Sequence, residues 1–268
     1  MLGAIAGDII GSVHEFEAQK TKDFPLFVAK SRFTDDTVLT VAVADCLLTG
    51  SSYTDKFHEY THAYPDRSYG VGFWHWVKSG SRQPYNSWGN GSAMRVSPVA
   101  FAFQTLDEVL QEARASAEVT HNHPEGIRGA QATAAATFLA RQGNSKNEIR
   151  SVIEKQFGYD LSRTTAIIRQ TYSFNESCQE TVPEAITSFL ESENYEDAVR
   201  LAISLGGDAD TLACITGGIA EAFYGSVPAS IANQAVALLD DGLRKTVKRF
   251  CESHGSAFPS FPSLTHGE

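Results

Sequence analysis

Two short acidic clusters, each directly ahead of a long apolar helical pattern, constrain this chain more than any other feature. The first is Thr34-Asp35-Asp36-Thr37, which leads into TVLTVAVADCLLT (37–49), apolar almost all round and so expected as a buried helix. The second is Gly206-Gly207-Asp208-Ala209-Asp210-Thr211, leading into 210–224, where Ala213, Gly217, Gly218 and Ala220 would let another helix approach closely. An acid or hydroxyl at a helix start is ordinarily a cap, accepting from orphan backbone N–H groups and complementing the helix dipole. Capping needs one such group per helix, and each site has two carboxylates. Crowding uncompensated acids at the starts of buried helices is costly. A divalent cation removes the cost, since Mg²⁺ takes six oxygens in near-octahedral geometry. Asp208 and Asp210 would diverge on a continuous helix but converge where the chain is still extended. Four carboxylates and two threonine hydroxyls suit a pair of ions. Spacing alone therefore predicts a paired oxygen-ligand metal site.

Helical periodicity runs through the rest of the chain, and no pair of alternating runs reads as a hairpin. Helices are expected at 106–119, at 126–142 (Ala-rich), from Ser145 to Phe157, and from Val182 to Glu193 with Pro183 in its first turn. Gly143-Asn144-Ser145 supplies a stop and the next N-cap. Further helices are expected at 195–205, 210–224 and 228–250. Gly3, Gly7 and Gly11 stripe a tightly packed N-terminal helix that ends near Glu15, by itself a surface acid. No repeat, linker or composition break divides the sequence, so the expected fold is all-α, a single compact helical domain over 1–252. The Pro/Ser/Gly-rich stretch 253–268 is expected to be a poorly ordered tail.

Several function classes are excluded by composition. With 22 basic and 32 acidic residues the net charge is −10, and no run of Lys or Arg exceeds two. That is a poor grip for a nucleic-acid backbone. The first eight residues lack a basic n-region and Asp8 interrupts their apolar stretch, so no signal peptide is expected. No apolar run reaches 18 residues, so no membrane span is expected. Cys46, Cys178, Cys214 and Cys251 form no CxxC; Cys46 and Cys214 read as core thiols, and the expected compartment is reducing, the cytoplasm. His121-Asn122-His123 lacks partners at zinc spacing and reads as structural.

Gly89-Asn90-Gly91-Ser92-Ala93-Met94-Arg95 fits either a turn with a helix start or a loop whose backbone approaches an anion. It is neither a Walker A loop nor a dinucleotide fingerprint. Tyr69-Gly70-Val71-Gly72-Phe73-Trp74 fits equally a core helix with a glycine start and a stacking face for a base or ribose.

Taken in order, GAIAGDIIGSVHEF, FTDDT (33–37), GNGSAMR (89–95), THNHPEG (120–126) and GGDADT (206–211) resemble the ADP-ribosylglycohydrolase family from Gly3 to about Gly225. Five motifs in the family's order are far more specific than any one. The resemblance implies an orthogonal all-α fold with two Mg²⁺ ions, or Mn²⁺. It implies Thr34, Asp35, Asp36, Asp208, Asp210 and Thr211 as metal ligands, and Glu15 as the acid beside the scissile bond, an acid/base or a gating group. It further implies that Asp36 or Asp210 helps deprotonate water. Gly89, Asn90, Gly91, Ser92 and Met94 would cradle the diphosphate and distal ribose, and His121 would contact the ribose. Gly72 and Phe73 match more loosely, and His123 has no counterpart role. The implied substrate is an ADP-ribosylated protein, arginine-linked foremost, or a small ADP-ribose conjugate. Nucleic acid would enter only as an ADP-ribosylated substrate. Serine, O-acetyl and nucleobase linkages stay open, as do a metal-dependent phosphohydrolase and a non-catalytic ADP-ribose-binding protein.

Overall fold

The computed structural model describes residues 1–255 together with 258 and 259. Among the described residues every regular element is a helix: α1 (Leu2–Gly11), α2 (Asp35–Thr49), α3 (Tyr53–Ala63), α4 (Val71–Lys78), α5 (Gly91–Met94), α6 (Val99–Ala102), α7 (Leu106–Glu118), α8 (Pro124–Arg141), α9 (Lys146–Phe157), α10 (Thr165–Thr171), α11 (Cys178–Glu191), α12 (Tyr195–Ile203), α13 (Ala209–Tyr224), α14 (Ala229–Ala237) and α15 (Asp241–Ser253). The only extended pairing among them is an isolated antiparallel bridge between Gly89 and Ser177.

Local chemistry sets the helix ends. Thr105 with Glu108, and Ser145 with Glu148, close reciprocal capping boxes at the starts of α7 and α9. Gly50, Gly158 and Gly225 stop α2, α9 and α13 in the left-handed conformation that glycine adopts without steric cost.

The molecule is organised around α13, buried from Ala209 to Glu221 and packed against α1, α8, α11 and α12. The pairing with α1, itself buried along its whole length, is the closest. A Cβ placed on Gly7 would overlap the carbonyl of Ala213, and one on Gly217 would overlap the carbonyl of Gly3. The two backbones are therefore in direct contact, which sets the end of α1, at Gly11, against Ala209 and Asp210 at the start of α13. Helix α2 packs against α1, α3 and α15, so its N-terminus meets that of α13 inside the protein.

Two expectations need correction. Pro183 is internal to α11, which begins at Cys178 with Ser177 as N-cap. As the sixth residue of α11, Pro183 lies past the four early N–H groups that lack an intrahelical acceptor and so forgoes one helix hydrogen bond; the start expected at Val182 lies about one turn too late. The expected helix 228–250 is two helices, α14 and α15, with a new N-cap at Asp240, whose side chain accepts from Leu243 N at 3.0 Å. Of the expected tail, Ser253 closes α15, while 256, 257 and 260–268 lie outside the described residues. No described helix is long and apolar enough to cross a membrane.

Candidate active site

The N-terminal ends of α2 and α13 and the segment after α1 converge on one pocket. Its lining includes Glu15, Asp35, Asp36, Asp208, Asp210 and Thr211, together with Asn90, Gly91, Met94, Arg95, His121, Gly70, Phe73 and Tyr85. Ligand oxygens of Glu15, Asp208 and Asp210 lie within 4.8 Å of one another. Thr211 Oγ1 faces Asp36 Oδ2 at 3.4 Å, joining the two acidic clusters.

Capping does not account for these acids. In α2 the cap is Thr34, whose hydroxyl accepts from Asp36 N at 3.3 Å. Asp35 and Asp36 are left over, and Asp36 Oδ1 is buried with no partner. In α13 the side chain of the N-cap residue, Asp208, makes no well-formed capping bond, although the Thr211 backbone N–H and hydroxyl lie close enough to favour its charge. It accepts instead from Asn90 Nδ2 at 2.7 Å, which ties the glycine-rich loop to the second cluster.

An acid that sequence reasoning had used only as a break in an apolar stretch proves central. Asp8 is fully buried and accepts from Thr34 N (3.0 Å), Thr34 Oγ1 (2.7 Å), Thr37 N (3.1 Å) and the Thr37 hydroxyl. It is a strut holding the start of α2 in place. The available signal was a lone carboxylate inside an otherwise apolar, glycine-striped helix. Arg95, Tyr85, Phe174 and Glu176, which also line the pocket, carried no such signal.

The electrostatics are those of a site short of positive charge. Burial pushes Asp8 up to about 6 despite its four hydrogen bonds. Burial, then the charge of Asp208, pushes Glu15 up to about 7, and Glu15 Oε2 is buried without a partner. Asp35, Asp36 and Asp210 are raised well above the ordinary carboxylate range, by burial first and then by neighbouring carboxylate charge, that of Asp8 foremost for Asp35 and Asp36 and that of Asp208 foremost for Asp210. Hard carboxylate and hydroxyl oxygens, crowded and partly unpartnered, are the donor set that divalent cations such as Mg²⁺ prefer. The residues fit such ions.

Other expected site residues fall differently. Thr34 does not line the pocket; its hydroxyl is committed to Asp8 and to capping α2. Ser92 is buried and donates to Gly126 O at 2.7 Å, and Gly89 pairs with Ser177 in the isolated bridge, so both shape the loop from behind. Gly72 faces the Tyr85 ring, where a Cβ would stand 3.1 Å away, and is not among the lining residues. Phe73 does line it. His123 is the N-cap of α8, its Nδ1 accepting from Glu125 N at 3.1 Å.

The family model described as ADP-ribosylglycohydrolase matches residues 1–257. The chain belongs to the ADP-ribosylglycohydrolase family. Similar members include ADP-ribosylhydrolase ARH3 of Bos taurus, 28% identical with 84% of each chain covered. ADP-ribosylarginine hydrolase Tri1 of Pseudomonas putida (strain GB-1) is 26% identical, covering 84% of this chain and 69% of that one. Among solved structures, a chain titled "ADP-ribosylglycohydrolase-related protein complex" superposes with a TM-score of 0.69 at 23% identity, covering 94% of this chain and 96% of that one. The expected fold and the expected glycohydrolase class are thus borne out.

Proposed function

We propose that this ADP-ribosylglycohydrolase is a divalent-metal-dependent enzyme that releases ADP-ribose from ADP-ribosylated proteins, with arginine-linked ADP-ribose the foremost substrate. The observation that carries the reading is the convergence of paired carboxylates from two helix starts beside Glu15 and the glycine-rich loop. The arginine linkage draws support from the likeness to ADP-ribosylarginine hydrolase Tri1. The likeness to ADP-ribosylhydrolase ARH3 keeps other ADP-ribose conjugates as the second reading.

In this reading Asp35, Asp36, Asp208, Asp210 and Thr211 would hold two Mg²⁺ or Mn²⁺ ions, with Thr34 supporting them from behind. Such ions offset the carboxylate charge, fix ribose hydroxyls and make water a better nucleophile at neutral pH. The pocket proper is about 110 Å³, well below the several hundred that a whole nucleotide fills. The distal ribose therefore sits inside, and the diphosphate and base run out over residues 89–94 past the half-exposed Trp88. Water adds to the anomeric carbon through an oxocarbenium-like transition state while the bond to the acceptor breaks. Asp36, through its unpartnered Oδ1, takes the water's proton. Glu15, protonated near neutral pH by its burial and by Asp208, gives its proton to the departing group. The acceptor leaves on the side where Phe16 and Phe174 are exposed, their ring centroids 6.2 Å apart. Four buried, free cysteines suit a reducing cytoplasm.

A panel of arginine-, serine- and base-linked ADP-ribose and O-acetyl-ADP-ribose, assayed with Mg²⁺, Mn²⁺ and EDTA, tests this directly. The expected result is free ADP-ribose, fastest from the arginine linkage and abolished by EDTA. Release of AMP or phosphate would favour a phosphohydrolase instead, and undiminished turnover in EDTA would remove the metals.

A further inference from the structure

Behind His121, which lines the pocket, lies a buried polar chain that the mechanism above does not use. Arg95 is fully buried among the described residues, with its guanidinium carbon 4.1 Å from the centroid of the Phe57 ring rather than beside a carboxylate. Its Nη2 donates to Ser116 O at 2.9 Å and to Thr120 Oγ1 at 2.8 Å. Thr120 Oγ1 in turn lies 2.8 Å from His121 Nδ1. A guanidinium has no acceptor, so the Thr120 hydroxyl must accept from Arg95. Its own hydrogen then has two destinations, His121 Nδ1 at 2.8 Å or Ala117 O at 3.5 Å, and the second is at the limit of a hydrogen bond.

We propose that Arg95 and Thr120 are positioning residues that fix His121 as the Nε2–H tautomer, so that a neutral imidazole presents a donor to a ribose or phosphate oxygen of the substrate. The direction of the chain sets the tautomer: donation from Arg95 to Thr120, and from Thr120 to Nδ1, leaves the ring hydrogen on Nε2. The ring also stays uncharged, since burial and then the charge of Arg95 hold His121 well below its ordinary range. Nε2 is bonded to no described protein group and stands against the glycine-rich loop, 3.0 Å from where a Cβ on residue 91 would lie. Gly91 is thus the residue that admits the imidazole edge to the pocket. A donor fixed in this way binds an oxygen without adding a second positive charge beside Arg95.

The inference rests on the ADP-ribose reading of the pocket, and its test separates the two. Two-bond ¹H–¹⁵N spectra of ¹⁵N-histidine-labelled protein at pH 7, with His121 assigned by its loss in His121→Gln, should show the Nε2–H tautomer. Thr120→Val keeps the shape and removes the relay. It should shift His121 to a tautomer mixture, weaken ADP-ribose binding and raise KM about fivefold or more, with kcat changed less than about twofold. Thr120→Ser should restore all three. An Nδ1–H signal in the wild type, or unchanged ADP-ribose affinity in a folded Thr120→Val, would overturn the relay. Failure of the wild type to bind ADP-ribose would instead sink the functional reading, with the tautomer spectrum still deciding the relay.

Discussion

Asp8 illustrates how much one side chain can organise when its neighbours supply only donors. Its two oxygens receive two backbone N–H groups and two hydroxyls from the first turn of α2 and the residue ahead of it. Truncation leaves four buried donors without an acceptor, and each stranded polar group costs about 1–3 kcal/mol before relaxation. Asp8→Ala should therefore lose about 3 kcal/mol or more in chemical denaturation and most activity with it, because Asp35 and Asp36 lose their register. Normal stability for this variant would mean that the strut is dispensable. Asp210→Asn should do the opposite to stability. Asp210 is raised by burial and then by the charges of Asp208 and Asp36, so at alkaline pH, where it is forced to ionise, neutralising it relieves repulsion in the metal-free protein. The expected outcome in EDTA at that pH is a melting temperature a few degrees higher, about 1 kcal/mol, together with loss of turnover of about 100-fold or more. A destabilised Asp210→Asn in EDTA at that pH would show that its carboxylate is structural rather than held for a ligand.

At the scale of elements, the contact of α1 with α13 brings Asp8 to the site. A methyl on Gly7 meets the Ala213 carbonyl, which is backbone and cannot swing aside. Gly7→Ala should gain about 1 kcal/mol of helix propensity and still be unstable, since overpacking costs about 1–3 kcal/mol or more. The net effect expected is a melting point several degrees lower and weaker metal binding, both readable by calorimetry. A more stable Gly7→Ala would mean that the helices separate readily. Much of this was legible in the sequence, because i, i+4 glycines and a small-residue helix each announce a close neighbour. The doubled acids at two helix starts announced the site for the same reason: they exceed what capping requires. The role of Asp8 was not legible, since its partners lie 26 and 29 residues away in sequence. Nor was the relay through Arg95 and Thr120, whose residues gain meaning only when the turn before α8 folds back on the glycine-rich loop. The break between α14 and α15 was hidden because Asp240 and Asp241 read equally as helix surface and as a new cap.

For the molecule as a whole, the acidic pocket links stability, pH and metal. Asp8 rises from an ordinary 3.8 to about 6 and Glu15 from 4.5 to about 7, so the metal-free folded state keeps protons that the unfolded chain has already released. Stability depends on pH through the difference in bound protons, and here the folded state binds more. This contribution is complete below the unfolded values near 4 and is lost as pH rises through 6 to 7. In EDTA the melting temperature should therefore fall between pH 5 and pH 8. On the proposed reading, divalent ions would invert the relation, because they would bind the deprotonated carboxylates and expel the protons held there. Mg²⁺ should raise the melting temperature more at pH 8 than at pH 5.5. Calorimetric titration at pH 6.5, in buffers of differing ionisation enthalpy, should show net proton release on Mg²⁺ binding. Proton uptake, or a melting curve indifferent to both Mg²⁺ and EDTA at every pH, would mean that the six acids form a self-sufficient protonated network and that the pocket needs no cation.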